Sequence, residues 1–208
     1  MRRVSAAGVC VLVLLLASGC PKGGGGAFQL FAPKQVAHTS LSLNLKFEYR
    51  PDVLALRDQL QGDYPMALDG KGYTIFIKRI AGAGALLTKA PDATLYDFVA
   101  DNNTRGFLRT YKYKVKDEKR EVVPANKNTF YGQYLTFDVT NDRLPSYVPD
   151  GERPPDGTDA SVFYARYYYT LTLQDLYIVH VVSTSPLDEN ADSVIKNLLA
   201  SFQFGAVK

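Results

Sequence analysis

Cysteine, histidine and long apolar runs are all scarce in this chain. Its 208 residues include two cysteines, Cys10 and Cys20, and two histidines, His38 and His180. Zinc sites need clusters of such ligands at short spacing, so no zinc site of familiar pattern can be written. No segment of the mature chain is long and apolar enough to cross a bilayer as a helix, which takes about 20 residues. The linear signatures of a nucleophile elbow and of a His-Glu-x-x-His zinc protease are missing too. Carboxylate pairs assemble in space without a linear motif, so a hydrolase of that kind stays open. Charge of one sign is also lacking: 24 Lys and Arg face 21 Asp and Glu. That balance gives no reason to expect a nucleic-acid partner.

What is present begins with Arg2 and Arg3, followed by an uncharged stretch from Val4 to Gly19 whose most apolar part is Val9 to Leu16. Charge followed by a short apolar run is the order of a secretory signal. Ala17, Ser18 and Gly19 then precede Cys20, and this segment resembles the lipobox of bacterial lipoproteins, with Ala17 where leucine is commoner. The resemblance implies removal of residues 1–19 and acylation of Cys20, so that the bilayer itself is a partner. Two or three acyl chains, at about 0.8 kcal/mol per buried methylene, hold a protein on a membrane without a spanning helix. Pro21 stands where an aspartate would signal retention at an inner membrane, so the resemblance implies an outer-membrane, periplasm-facing location where the cell has one.

Cleavage removes Arg2 and Arg3 and no acid, leaving 22 basic against 21 acidic residues, a net charge of +1. It also removes Cys10, so the folded part has no disulfide and no free thiol. Residues 20–37, with four consecutive glycines, read as a tether reaching on the order of 20–25 Å. Phe28 to Phe31 can alternatively add an edge strand or touch lipid.

Residues 38–208 read as one domain. Ser40 to Tyr49 alternates strictly, with Leu41, Leu43, Leu45, Phe47 and Tyr49 on one face, which predicts one half-buried strand. Pro51, Asp52 and Gly62 bracket an expected short helix. Tyr73 to Ile80 is the next strand, and Asp92 or Thr94 caps a helix through about Asn102. Strands are then expected over Phe107 to Lys116, Glu121 to Val123, Thr129 to Thr140, Val162 to Leu173 and Leu176 to Thr184. At the end, Ser185 is the expected cap, with Pro186 at the first helical position, Asp188 in a capping-box role, and a stripe from Leu187 to Phe202. The expected fold class is α+β: a mostly antiparallel sheet with helices packed on it, closed by a C-terminal amphipathic helix.

The element order, together with "DLYIVHVVSTS" leading into "ENADSVIKNLLASFQF", resembles the PsbP-like family. Many of its members carry a tryptophan near the first strand, and this chain has none. The resemblance implies a binding or assembly accessory, and it carries over no residue-level site.

Several stretches invite chemistry. "AGAGALL", Ala81 to Leu87, follows a strand, but the third glycine of a dinucleotide fingerprint is replaced by Leu87, so a plain loop is the preferred reading. His180 lies between valines and reads as a core residue, with a catalytic pairing to Ser183 or Asp175 as the rival. Asn141 to Ala160 holds four prolines and five acids without EF-hand spacing, so neither metal nor cofactor is expected. As a long loop it is the first candidate for partner recognition, through Tyr147, Asp150, Glu152, Arg153 and Asp156. "YARYYYT" places Tyr164, Arg166 and Tyr168 on one strand face, either as packed aromatics or as an exposed hot spot for a partner. Lys112, Lys114 and Lys116 alternate with Tyr111, Tyr113 and Val115, either as a solvated face or as a contact for anionic surfaces.

These readings converge on a lipid-anchored envelope protein that binds or assembles something and is not an enzyme. The rivals are a small-ligand or lipid carrier, which needs an interior cavity, and a hydrolase using carboxylates or His180.

Overall fold

The computed structural model describes residues 34–60, 64–86, 92–111, 114–138 and 163–205. Cys20, most of the tether and the 141–160 segment lie outside the described residues. The rest is an α+β domain built on strands β1 (Val36–Ser40), β2 (Leu45–Tyr49), β3 (Ala55–Asp58), β4 (Met66–Gly70), β5 (Tyr73–Ile80), β6 (Lys114–Ala125), β7 (Asn128–Asp138), β8 (Phe163–Leu171), β9 (Leu176–Ser183) and β10 (Gln203–Phe204). Helix α1 spans Ala93–Tyr111 and α2 spans Glu189–Ala200. Seven strands form one sheet in the order β3-β4-β5-β9-β8-β7-β6, antiparallel at every pairing, and β1-β2-β10 form a second, smaller sheet.

The middle of the large sheet is covered on both faces, which explains why β9, "LYIVHVVS", is apolar almost throughout and buried at every position. Side chains alternate across a strand. Tyr177, Val179 and Val181 therefore join the core under α2 and β2, while Leu176, Ile178 and Val182 join the core on the α1 side. Each fully buried aliphatic or phenyl side chain contributes about 1.5–3 kcal/mol by leaving water.

Helix α2 lays Ala191, Ile195, Leu198 and Leu199 on that first core. Its cap is Asp188, whose Oδ1 accepts from Ala191 N at 2.7 Å. The helix thus starts later than the Ser185–Pro186 signal suggested, because Ser183 Oγ already donates to Ser185 O and holds the corner. Ser201 closes the helix and ties it to β2, accepting from Glu48 N at 2.9 Å.

Three other expectations are corrected. The single strand over Ser40–Tyr49 is a hairpin, because Asn44 takes a left-handed φ of 47° and its N–H turns back to Leu41 O. Leu41 is consequently exposed, while Leu43, Leu45 and Phe47 remain buried. The pairing partner β1 starts at Val36, inside the stretch read as tether. The helix expected after Pro51 stops at one turn; Leu56 then pairs with Leu68 in β3–β4, and Arg57 reaches Asp69 at 2.6 Å. Finally, α1 continues through Tyr111 where a strand was expected from Phe107, and β6 begins only at Lys114.

Candidate functional site

Two of the concave regions formed by the described residues bear on function, and the sequence pointed to one of them. The first is a groove of about 270 Å³ lined by Asp117, Lys119, Tyr134, Tyr164, Arg166 and Leu187, among others. Strand β8 supplies Tyr164 and Arg166, and β7 supplies Tyr134, which pairs in register with Arg166. The Arg166 guanidinium bonds Asp192 on α2 and lies 5.3 Å from the centre of the Tyr134 ring. Lys119 sits 5.6 Å from the same ring and 2.7 Å from Glu121. Burial pulls the Asp192 carboxyl up, but Arg166 and Lys196 outweigh it and hold the group below its ordinary value. Burial also pushes the Tyr134 phenol up, with Tyr168 and Glu121 adding to the effect.

Tyr168 does not share that surface. It is 1% exposed, packs edge-on against Tyr134 at 6.0 Å, and belongs to the core. Of the two readings of this face, aromatic packing holds for Tyr168, and the hot-spot alternative is reduced to the half-buried Tyr164 and Arg166, because β8 is an inner strand. Lys114 and Lys116 are exposed at the start of β6, and Lys116 approaches Asp138 at 3.9 Å. Their expected alternation with buried aromatics is broken, since Tyr111 is helical, Val115 is exposed, and the strand slips register between Val115 and Asp117. Lys112, Tyr147, Asp150, Glu152, Arg153 and Asp156 lie outside the described residues.

The second region escaped the sequence reading. It is a cleft of about 450 Å³ where the start of α1, the β6–β7 hairpin, the end of β8 and β10 meet. Tyr96 and Tyr131 stack at 5.4 Å with their planes 5° apart, and Phe130, Phe204 and Leu171 add apolar wall. The Tyr96 hydroxyl accepts from Leu171 N at 3.2 Å, which leaves its own proton to donate. Asp92 lies at the mouth and caps α1, accepting from Leu95 N at 3.0 Å. Lys127 lies there too, and it makes no ion pair among the described residues. The elements contributing are far apart in sequence, so no local pattern marks the cleft; the one available signal was the aromatic content of β7.

Beside this cleft, α1 is fastened to the sheet by polar groups. Arg120 donates to Asp97 at 2.8 Å, to Asp101 and to Glu118 at 2.7 Å, while Tyr131 Oη donates to Asp97. Deeper in, Gln133 Nε2 donates to Thr104 Oγ1 and Glu118 Oε1, and Tyr169 Oη donates to Gln133 Oε1 while accepting from Asn103. Gln133 and Tyr169 are fully buried. The Tyr131 hydroxyl, and then Arg120, hold the Asp97 carboxyl below its ordinary value.

The rival catalytic reading of His180 is not assembled. The ring stacks on Tyr167 at 4.1 Å and is 1% exposed, and burial lowers its pKa to about 3. Ser183, three positions along the strand, points to the other face and donates to Ser185, while Asp175 binds Arg79 Nε at 2.7 Å and Gly82 N at 3.1 Å. Of the glycines after β5, Gly84 serves close packing, since a Cβ there would lie 2.3 Å from Thr172 O, while Gly82 takes a left-handed φ of 76°. No group of three or more His, Cys, Asp or Glu residues fit to hold a metal occurs among the described residues. No described helix is long and apolar enough to cross a membrane.

The class these features define is an antiparallel α+β domain with a helix on each face of its main sheet. No family model matches the chain, and no curated protein matches it. Among solved structures it is similar to cyanobacterial PsbP (CyanoP) from Synechocystis sp., at 13% identity and a TM-score of 0.47, over 86% of this chain and 98% of that one. It is also similar to a Bacteroides thetaiotaomicron protein, at 8% identity and a TM-score of 0.48, over 83% of this chain. There it spans 49% of the other chain, about half its length.

Proposed function

We propose that the protein is a cell-envelope lipoprotein, anchored by acyl chains on Cys20, whose domain acts as a binding or assembly accessory for another envelope protein. The signal-like order from Arg2 to Cys20 supports the anchor, and the glycines after it allow the domain to work just off the headgroups. The observation that carries the accessory reading is the groove around Arg166. It combines an arginine and two tyrosines, residue types enriched where protein partners bind tightly, with a lysine beside them. Arg166 is already oriented by Asp192, so it reaches a partner with little entropy left to lose.

Two measurements test this. Mass spectrometry of the mature N-terminal peptide is expected to find a lipid-modified Cys20; an unmodified cysteine or an N-terminus elsewhere would remove the anchor. In-cell cross-linking of the tagged full chain is expected to recover one abundant protein, lost with Cys20→Ala and reduced with Tyr164→Ala. Recovery unaffected by Tyr164→Ala would sink the assignment of the groove.

A further inference from the structure

The cleft between α1 and the β6–β7 hairpin carries an inference independent of the anchor and of the Arg166 groove. We propose that it is a binding site for a small carboxylate with an aromatic body. Its volume, about 450 Å³, lies within the range of roughly 300–1,000 Å³ typical of small-molecule pockets. Its walls include four aromatic residues, with the Tyr96–Tyr131 stack on one side and Phe130 and Phe204 from the sheets. Rings of this kind hold a flat apolar body by offset or edge contacts as well as by area.

The charges at the mouth are not equivalent, and their difference selects the head group. Asp92 is engaged as the cap of α1, where the helix end compensates its charge. Lys127 has no carboxylate within ion-pairing distance among the described residues, whereas Arg120, on the same hairpin, is paired with Asp97 and Asp101. It sits in a tight turn between β6 and β7, next to Asn126 in the left-handed region with φ 56°, so the hairpin fixes where the stem leaves the backbone. A lysine at the pocket with no ion pair among the described residues suits one anion on an apolar body. The Tyr96 hydroxyl, which accepts from Leu171 N, has its proton available as a second donor to the same carboxylate. Val122, 64% exposed although apolar, stands at the edge as surface that a bound ring would cover.

The test uses the full chain carrying Cys20→Ala, with 3-phenylpropionate and its uncharged counterpart 3-phenylpropan-1-ol as probes, followed by calorimetry and saturation-transfer NMR. Saturable binding of the acid, tighter than that of the alcohol, is expected. Lys127→Ala is expected to weaken the acid by up to about five-fold, as for an exposed ion pair, and to leave the alcohol unchanged. Val122→Trp, a surface substitution that fills the mouth, is expected to abolish both while the circular dichroism spectrum stays that of the parent. Absence of saturable binding by either probe overturns the site. Equal binding of acid and alcohol, indifferent to Lys127→Ala, overturns the carboxylate assignment. Binding confined to a peptide ending in an aromatic residue would overturn it in favour of a protein C-terminus.

Discussion

Helix α2 meets the sheet through Ala191, Ile195, Leu198 and Leu199, all apolar and all buried, whereas α1 meets it chiefly through Asp97, Asp101, Asn103 and Thr104. Among the described side chains of α1, Ala100 is the one buried hydrophobic residue, with Tyr96, Val99 and Leu108 partly covered. The α2 face is thus held by transfer from water, which is non-directional and tolerant of small shifts. The α1 face is held by directional bonds, of which those of Gln133 and Tyr169 must be made or a buried group is left unsatisfied. Both candidate sites follow from this division. Arg166 leans on the outer side of α2, and the aromatic cleft opens where α1, lacking an apolar stripe, leaves ring surface uncovered.

The largest effect is expected on the apolar side. Leu198→Ala removes a side chain that is 2% exposed in the middle of the α2 contact, and it is expected to lower unfolding free energy by about 2–5 kcal/mol in urea titration. A loss under about 1 kcal/mol would mean that the α2 face is loosely packed, and the contrast between the faces would fail. On the other side, Gln133→Leu keeps the volume but leaves the buried Tyr169 hydroxyl without its acceptor and Thr104 without its donor. A cost of about 1–3 kcal/mol is expected. Hydrogen exchange should accelerate in α1 and stay unchanged in α2; equal acceleration in both would show one cooperative unit.

The α1 face also carries the titratable core residue. Burial holds His180 neutral, with its pKa near 3 against an ordinary 6.5, so below pH 6.5 the unfolded chain takes up a proton that the folded chain refuses. Stability on this account is complete above pH 6.5 and is lost as pH falls toward the folded value. From pH 6 to pH 4 the loss amounts to roughly 2 kcal/mol. His180→Phe, among Phe76, Tyr64 and Tyr167, should flatten that slope. An unchanged slope would place the acid sensitivity elsewhere.

The same contrast explains what was legible beforehand. α2 announced itself because an apolar stripe at helical spacing is a local property, and β5, β8 and β9 did so through runs of β-branched and aromatic residues. The cap was misplaced because Ser185, Pro186 and Asp188 all carry start signals, and the bond from the Ser183 hydroxyl to the Ser185 carbonyl decides among them. α1 past Asn102 was misread because Asn102, Asn103 and Gly106 are poor helix formers, and the bonds that fasten this part come from Gln133 and Tyr169, distant in sequence. β3 looked helical for a related reason: its partners in β4 lie 8 to 14 residues further on, outside the reach of its own local pattern. Arg166 and Tyr164 stood out through composition, but the burial of Tyr168 depends on β8 being an inner strand. The aromatic cleft draws on four elements and left no local trace.

Arg120 gives the smallest and most selective test. Its guanidinium joins Asp97 and Asp101 on α1 to Glu118 on its own strand, yet the two aspartates are nearly half exposed, at 46% and 48%. Water screens such pairs to about 0.2–1 kcal/mol each, so Arg120→Met is expected to cost about 1 kcal/mol at pH 7 in spite of its many bonds. Asp97 has a folded pKa below its ordinary value, so its share is present above the ordinary value and is lost as pH falls through the folded one. The difference between parent and Arg120→Met should therefore shrink below about pH 4, and it should also shrink in 1 M salt, where the Debye length is about 3 Å. A penalty near that of Gln133→Leu that shrinks in salt would show that α1 is held mainly by its outer ion pairs and not by the buried amide.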